Sequence, residues 1–248
     1  MGTQDGGALI MKDRDAISFM NLKRQGRVDA LARAGLDHDT DVYGPAEARG
    51  QVAGMTREIG DASRRYGLDP ALLSGVLAAE IDFDTDSTDI AQNVATRLGI
   101  HGGQGPGAAN VHLGDLEQAK KYLQEHQLPG AADAAKFDAS FENVYNNPVE
   151  AAAIVVAWKA DLKRQAGGTV STTEDMAVIF GAYRTGEKNF DLKNNRIVNG
   201  ADDLARQTGD PNAVMGANAY QAEPYFDYYI EYYKGIDAAY GSSQGEVI

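Results

Sequence analysis

The chain has 248 residues, a formal net charge of -13 and no cysteine. This length suffices for one large domain or two small ones with a buried core. The negative charge argues against a surface for polyanions, so nucleic acid is not an expected partner. Without cysteine the chain has no disulfide framework, no thiolate metal site and no cysteine nucleophile.

Targeting and membrane signals are also missing from the sequence. The first residues lack a basic segment followed by an apolar one, so no secretory signal is expected. No apolar run approaches the roughly 20 residues that a membrane-spanning helix needs, so no membrane span is expected. The four histidines do not have the spacing of paired helical metal ligands.

Helical patterns dominate the chain, and strand patterns are scarce. Residues 9–35 are predicted to form one or two amphipathic helices, and a turn-rich linker follows them. The next predicted helix covers 46–66 and ends at Gly67, because glycine readily adopts the left-handed conformation found after helix ends. The sequence therefore predicts a mainly α protein, with an N-terminal helical extension and linker at 1–45 and one domain at 46–248.

Glu80 is the first candidate for chemistry. Asp69 and Pro70 predict a helix start, since aspartate caps helices and proline suits their first position. The apolar residues that share one face of this helix with Glu80 are Leu72, Leu73, Val76 and Leu77. A carboxylate at the end of such a stripe loses hydration, which raises its pKa, as a general acid requires. The alternative is a glutamate that only begins the polar end of a buried helix.

Glycines interrupt the helical pattern after Glu80. Five of the nine residues in 99–107 are glycine, which predicts a turn rather than a helix. Further helices are predicted downstream, over 113–127, 149–165, 172–183 and 224–240. A polar insert at 186–215 separates the last two.

Five of these segments, in this order, resemble motifs of the lysozyme-like fold of soluble lytic transglycosylases and goose-type lysozymes. The matching segments are Leu68-Asp69-Pro70 leading to Glu80, Gly105-Pro106-Gly107-Ala108-Ala109-Asn110, Asn147-Pro148, Ala182-Tyr183-Arg184-Thr185-Gly186, and Tyr225-Phe226 with Tyr233. Ala108 stands where the family usually has glutamine, and Arg184 stands where it usually has asparagine. The resemblance covers residues 60–235 and implies a lysozyme-like fold.

The resemblance also implies a reaction, the cleavage of peptidoglycan between N-acetylmuramic acid and N-acetylglucosamine. Glu80 would protonate the leaving glycosidic oxygen. Tyr183 would donate its hydroxyl to that carboxyl and orient it; the alternative is a core aromatic on a helical stripe. Glycines in the turn would let the backbone approach a sugar closely. The implied substrate contacts are Gly105, Gly107, Asn110 and Tyr225.

The acidic segment after Glu80 has more than one interpretation. A hydrolase needs a second carboxylate to activate water, and Asp86 and Asp89 are the candidates. A lytic transglycosylase would instead use the muramyl C6 hydroxyl, and neither reaction requires a cofactor. The alternation of Asp82, Asp84 and Asp86 also fits the first, third and fifth ligands of a Ca²⁺ loop. A solvated acidic loop is the simplest interpretation.

Two further hypotheses remain beside the enzyme. The departures at Ala108 and Arg184 favour a catalytically impaired module that binds glycan. In a helical interaction protein, Glu80 would be incidental. Cell-wall chemistry without a visible signal peptide predicts export from the cytoplasm by a specialised route, such as a secretion system that delivers a toxin to a rival's periplasm. The expected partners are then peptidoglycan and an immunity or inhibitor protein that plugs the cleft.

Overall fold

The computed structural model describes residues 45–83, 105, 107–198, 219 and 222–235. The protein is mainly helical over these residues, which confirms the predicted class. The helices are α1 (Pro45–Gly54), α2 (Thr56–Tyr66), α3 (Pro70–Phe83), α4 (Leu113–Glu125), α5 (Ala131–Lys136), α6 (Phe141–Asn146), α7 (Pro148–Gln165), α8 (Thr173–Thr185) and α9 (222–235). The helices predicted within residues 9–35 lie outside the described residues.

A two-stranded antiparallel hairpin follows α8. A short 3₁₀ helix, Glu187–Asn189, leads into β1 (Phe190–Asp191), which pairs with β2 (Arg196–Ile197). Phe190 lies opposite Ile197 in this register, and both side chains are buried. The hairpin therefore packs on the helical core rather than forming a separate sheet layer.

The segment predicted as one helix over 46–66 is two helices that meet at Met55. Gly54 lowers the helical propensity at the junction. The N–H of Met55 donates to the carbonyl of Val52 at 3.0 Å, three residues back instead of four, which tightens the last turn of α1. α2 ends as predicted, with Gly67 in the left-handed conformation at φ 64°.

The start of α3 is also as predicted. Asp69 Oδ1 accepts a hydrogen bond from the N–H of Ala71 at 2.8 Å, and Pro70 is the first residue of the helix. Every residue from Ala71 to Asp82 is buried, so α3 lies inside the protein on all its faces. Glu80 is therefore a core residue, and its burial does not depend on which face of the helix carries the apolar residues.

α7 is the central helix of the described fold. It packs against α2, α3, α4, α6 and α8, and all residues from Ala151 to Ala160 are buried. A helix that is buried all round belongs to the core of a larger bundle. Because α3 and α8 both pack on α7, two of the segments that carry the sequence motifs are supported by the same helix.

A buried ion pair joins α7 to the start of α8. Lys163 Nζ lies 3.1 Å from Asp175 Oδ1, and both side chains are almost completely buried. Burial disfavours the charged form of Asp175. Hydrogen bonds from Thr169, Asn195, the N–H of Ser171 and Lys163 outweigh burial and lower the pKa of Asp175 below its usual value.

We predict that Asp175→Asn reduces the free energy of unfolding at neutral pH by about 3 kcal/mol, because Lys163 is left buried without a counter-charge. Urea unfolding measures this change. The control is Asp191→Asn, which breaks the ion pair between Asp191 and Arg196 at the surface and should cost less than about 1 kcal/mol. Equal losses in the two variants would contradict the role of the buried pair.

The pH dependence of the same pair has a defined sign. The pKa of Asp175 is lowered from 3.8, so its stabilisation is fully present above that pH and is lost as the pH falls through the folded-state value. The difference in stability between wild type and Asp175→Asn should therefore narrow below pH 3.8. A difference that stays constant during acidification to about pH 2 would show that Asp175 does not supply this stability.

Candidate functional site

Glu80 lies near the end of α3 and its side chain is 2% exposed. Asn110 Nδ2 donates to Glu80 Oε2 at 3.3 Å. Arg184 Nε, near the end of α8, lies 3.5 Å from Glu80 Oε1. Three segments that are far apart in the sequence therefore meet at one carboxyl group.

A tight turn from Gly107 to Asn110 presents the amide to this carboxyl. The N–H of Asn110 donates to the carbonyl of Gly107 at 2.9 Å, and the two residues have φ values of 75° and 48°. Glycine adopts such values freely, and asparagine tolerates them better than most residues. Asn110 Oδ1 accepts the N–H of Gly105 at 2.8 Å, which turns Nδ2 towards Glu80.

Close packing around the turn explains why Gly105 and Gly107 are glycines. A Cβ on Gly105 would lie 2.1 Å from the carbonyl oxygen of Val111, so no side chain fits there. A Cβ on Gly107 would lie 3.3 Å from the backbone of Tyr145. The close approach at these positions is between protein segments, and contact of either glycine with a sugar stays a prediction.

The hydroxyl of Tyr183 has a partner that the sequence did not predict, and its contact with Glu80 stays a prediction. This hydroxyl donates to the backbone carbonyl of Ala109. Burial, and then the nearby charge of Glu80, raise the pKa of Tyr183 well above its usual value, which keeps the hydroxyl a donor. Tyr183 therefore holds the turn that carries Asn110.

The last turn of α8 brings Arg184 to Glu80. α8 begins close to the predicted position, with a capping box in which the side chains of Thr172 and Asp175 each accept a hydrogen bond from the other's N–H. In the sequence, Arg184 was only a departure from the family pattern, and its contact with Glu80 was missed. The sequence did hold one signal, since Arg184 lies one turn after Phe180 and therefore on a face of the helix that carries buried apolar residues.

Burial and the ion pair act on Glu80 in opposite directions. Removal from water disfavours the charged carboxylate, while the guanidinium of Arg184 favours it. Arg184 is itself only 22% exposed, so water screens the pair weakly. A general acid must hold a proton before it delivers one, so in this geometry the Arg184 contact works against acid catalysis.

Tyr225 lies on α9 with its side chain buried. Its side chain is 3% exposed, which leaves almost no ring surface for a sugar. The neighbouring Phe226 fixes α9 to α3, because a Cβ on Gly75 would lie only 2.3 Å from its ring. The structure therefore gives this part of α9 a role in packing, and the predicted substrate contact of Tyr225 has no geometric support.

The acidic segment is described only at its start. Asp82 is buried in the last turn of α3. Asp84, Asp86 and Asp89 lie outside the described residues, so their roles in activating water or binding Ca²⁺ stay predictions. Within the part of the chain that is described, no three His, Cys, Asp or Glu side chains are placed to hold a metal ion.

Comparisons of the chain with protein-family models, curated proteins and solved structures found no match. The resemblance to lysozyme-like proteins therefore depends on the residues of this chain alone. Among the helices of the described ranges, none is both long enough and apolar enough to cross a membrane.

We predict that Tyr183→Phe lowers the free energy of unfolding by about 1–2 kcal/mol, because the carbonyl of Ala109 is buried and loses its donor. Amide hydrogen exchange at Asn110 should accelerate as the turn loosens. Tyr122→Phe is the control, since its acceptor Asp161 keeps a second hydrogen bond from Gln165. An unchanged exchange rate at Asn110 in Tyr183→Phe would show that the hydroxyl does not hold the turn.

Proposed function

We propose that this chain cleaves peptidoglycan strands between N-acetylmuramic acid and N-acetylglucosamine, with Glu80 as the general acid. The observation that carries the proposal is the meeting of three motif segments at one buried carboxyl. Asn110 and Arg184 both contact Glu80, and Tyr183 holds the turn that carries Asn110. The sequence resemblance selected these segments without reference to their positions in space.

Chemically, the site offers a carboxyl that is held in place and largely shielded from water. Asn110 donates to one oxygen of Glu80, which fixes the plane of the group. Protonation of the glycosidic oxygen requires such a positioned acid, and the same group can act as base in the following step. Orientation of the acid by a fixed neighbour reduces the entropy that the reaction must lose.

Glycan binding without cleavage is the second candidate function, and the ion pair favours it. A carboxylate paired with Arg184 is a poor proton donor. Product analysis separates the alternatives, because reducing ends indicate a hydrolase and 1,6-anhydro ends indicate a lytic transglycosylase. Binding with neither product indicates the impaired module.

The proposed substrate lies outside the cytoplasm, so the proposal includes secretion or delivery to a bacterial periplasm. A wall-degrading activity also requires protection of the producing cell. An immunity or inhibitor protein that covers Glu80 is therefore part of the proposal. Ca²⁺ bound by the acidic segment would be a structural ion and not a participant in the cleavage step.

We predict that Glu80→Gln reduces cleavage of purified peptidoglycan by about 100- to 10,000-fold, because glutamine keeps the shape of the side chain but has no proton to deliver. Mass spectrometry of the released muropeptides measures the loss. Glu117→Gln is the control, since Glu117 is exposed on α4 and pairs with Lys120, three residues later on the same helix. Activity of Glu80→Gln within a few-fold of wild type would exclude Glu80 as the acid.

We predict that Arg184→Asn, which restores the residue usual in the family, extends cleavage to higher pH. The substitution removes an opposite charge 3.5 Å from Glu80 Oε1, and that charge favours the ionised carboxylate over the protonated one. The measurement is the pH–rate profile of wild type and variant on the same peptidoglycan. Arg196→Asn serves as the control, because it removes a cation that pairs with Asp191 at the surface.

The shape of the two profiles decides between the candidate functions. Cleavage by Arg184→Asn together with none by wild type at any pH would identify wild type as the impaired module. Superimposable profiles would show that Arg184 does not control the proton on Glu80.

A further inference from the structure

Tyr145 presents an aromatic ring to solvent beside the candidate site. Its side chain is 46% exposed, although it is large and partly apolar. The ring is stacked with that of Phe141, one helical turn earlier on α6, with centroids 6.2 Å apart and planes inclined by 12°. Because Phe141 is partly buried, this contact restricts the ring of Tyr145 before any ligand binds.

The ring lies at the edge of the turn that contacts Glu80. Tyr145 Cδ2 is 3.7 Å from the position of a Cβ on Gly107, and its backbone is closer still. Gly107 begins the turn that ends at Asn110, and the ends of such turns are within about 7 Å of each other. Asn110 in turn donates to Glu80. Tyr145 is therefore separated from the carboxyl by one turn of chain.

We propose that Tyr145 is a sugar-binding platform that stacks on a pyranose ring of the glycan bound at Glu80. The identity of this glycan rests on the proposed function. One face of a pyranose carries axial C–H groups, whose slightly positive hydrogens are attracted to the negative face of an aromatic ring. A ring held in place by Phe141 loses little conformational entropy when it binds such a face.

The surroundings of the ring favour a sugar over a nucleobase, which also stacks on aromatic side chains. The chain carries a formal net charge of -13, which repels a phosphate backbone. The side chain of the next residue, Asn146, is exposed, and amide groups hydrogen-bond to sugar hydroxyls. An exposed ring with a polar residue beside it fits a ligand with one apolar face and a polar edge.

The test is the affinity of the Glu80→Gln chain for soluble, uncrosslinked peptidoglycan strands, measured by titration calorimetry. Adding Tyr145→Ala should raise Kd about tenfold, the size expected for loss of a stacked ring. Adding Tyr145→Phe should change Kd by less than about twofold, because the ring remains. The control is Tyr228→Ala, since Tyr228 is 43% exposed but lies on α9 over Arg49.

Tyr145→Leu guards against a trivial loss of packing beside Gly107, because leucine keeps bulk without an aromatic face. Weakened binding by both the alanine and leucine variants, with melting temperatures near that of the parent, is the expected result. Retained affinity in Tyr145→Leu would overturn the proposal. Equal weakening by Tyr145→Ala and Tyr228→Ala would also overturn it, because the effect would then belong to exposed tyrosines in general.

Cleavage by the wild-type chain is measured separately, so the two proposals fail in different ways. Binding that depends on Tyr145, without any cleavage product, would reject the proposed reaction and keep the platform. Cleavage with an affinity independent of Tyr145 would reject the platform and keep the reaction. No measurable binding of the strands to the Glu80→Gln chain would reject the platform, whatever the cleavage assay shows.

Discussion

Burial of one carboxyl group inside a helical core is the constraint on which the candidate site depends. A buried carboxylate is stable only when hydrogen bonds or a counter-charge replace its lost hydration. Glu80 receives one partner from Asn110 and one from Arg184. Asn110 is held in place by the glycine turn and by the hydroxyl of Tyr183. Arg184 is held in place by the last turn of α8. The turn, the tyrosine and the helix end therefore form one unit around Glu80.

Two buried lysines on α7 are also paired with carboxylates. Lys163 pairs with Asp175 at the start of α8 and also donates to the carbonyl of Leu192 in the hairpin. Lys159 pairs with Glu187, just after the end of α8, and burial lowers its pKa. The central helix thus holds α8 near both of its ends by charge as well as by packing. These ion pairs help to set the position of α8, and therefore of Arg184, without involving the Arg184 side chain.

Local signals in the sequence predicted where several helices begin and end. They did not predict which residues far apart in the sequence contact each other. The cap at Asp69 was recognised because a cap depends on residues a few positions apart. The break at Met55 was missed because glycine weakens a helix without forbidding it. The acceptor of Tyr183 and the partner of Arg184 depend on how α8 lies on α7 and against the turn. Packing decides that placement, and no local pattern encodes it.

Arg184 stands where the lysozyme-like proteins that the chain resembles usually have asparagine, and it changes the charge beside Glu80. Asparagine would offer Glu80 a neutral hydrogen bond, whereas Arg184 adds a full positive charge 3.5 Å from Oε1. Both groups are largely removed from water, so their attraction is stronger than that of a surface pair. On the proposed function, this charge therefore acts on the same carboxyl that would protonate the glycosidic oxygen.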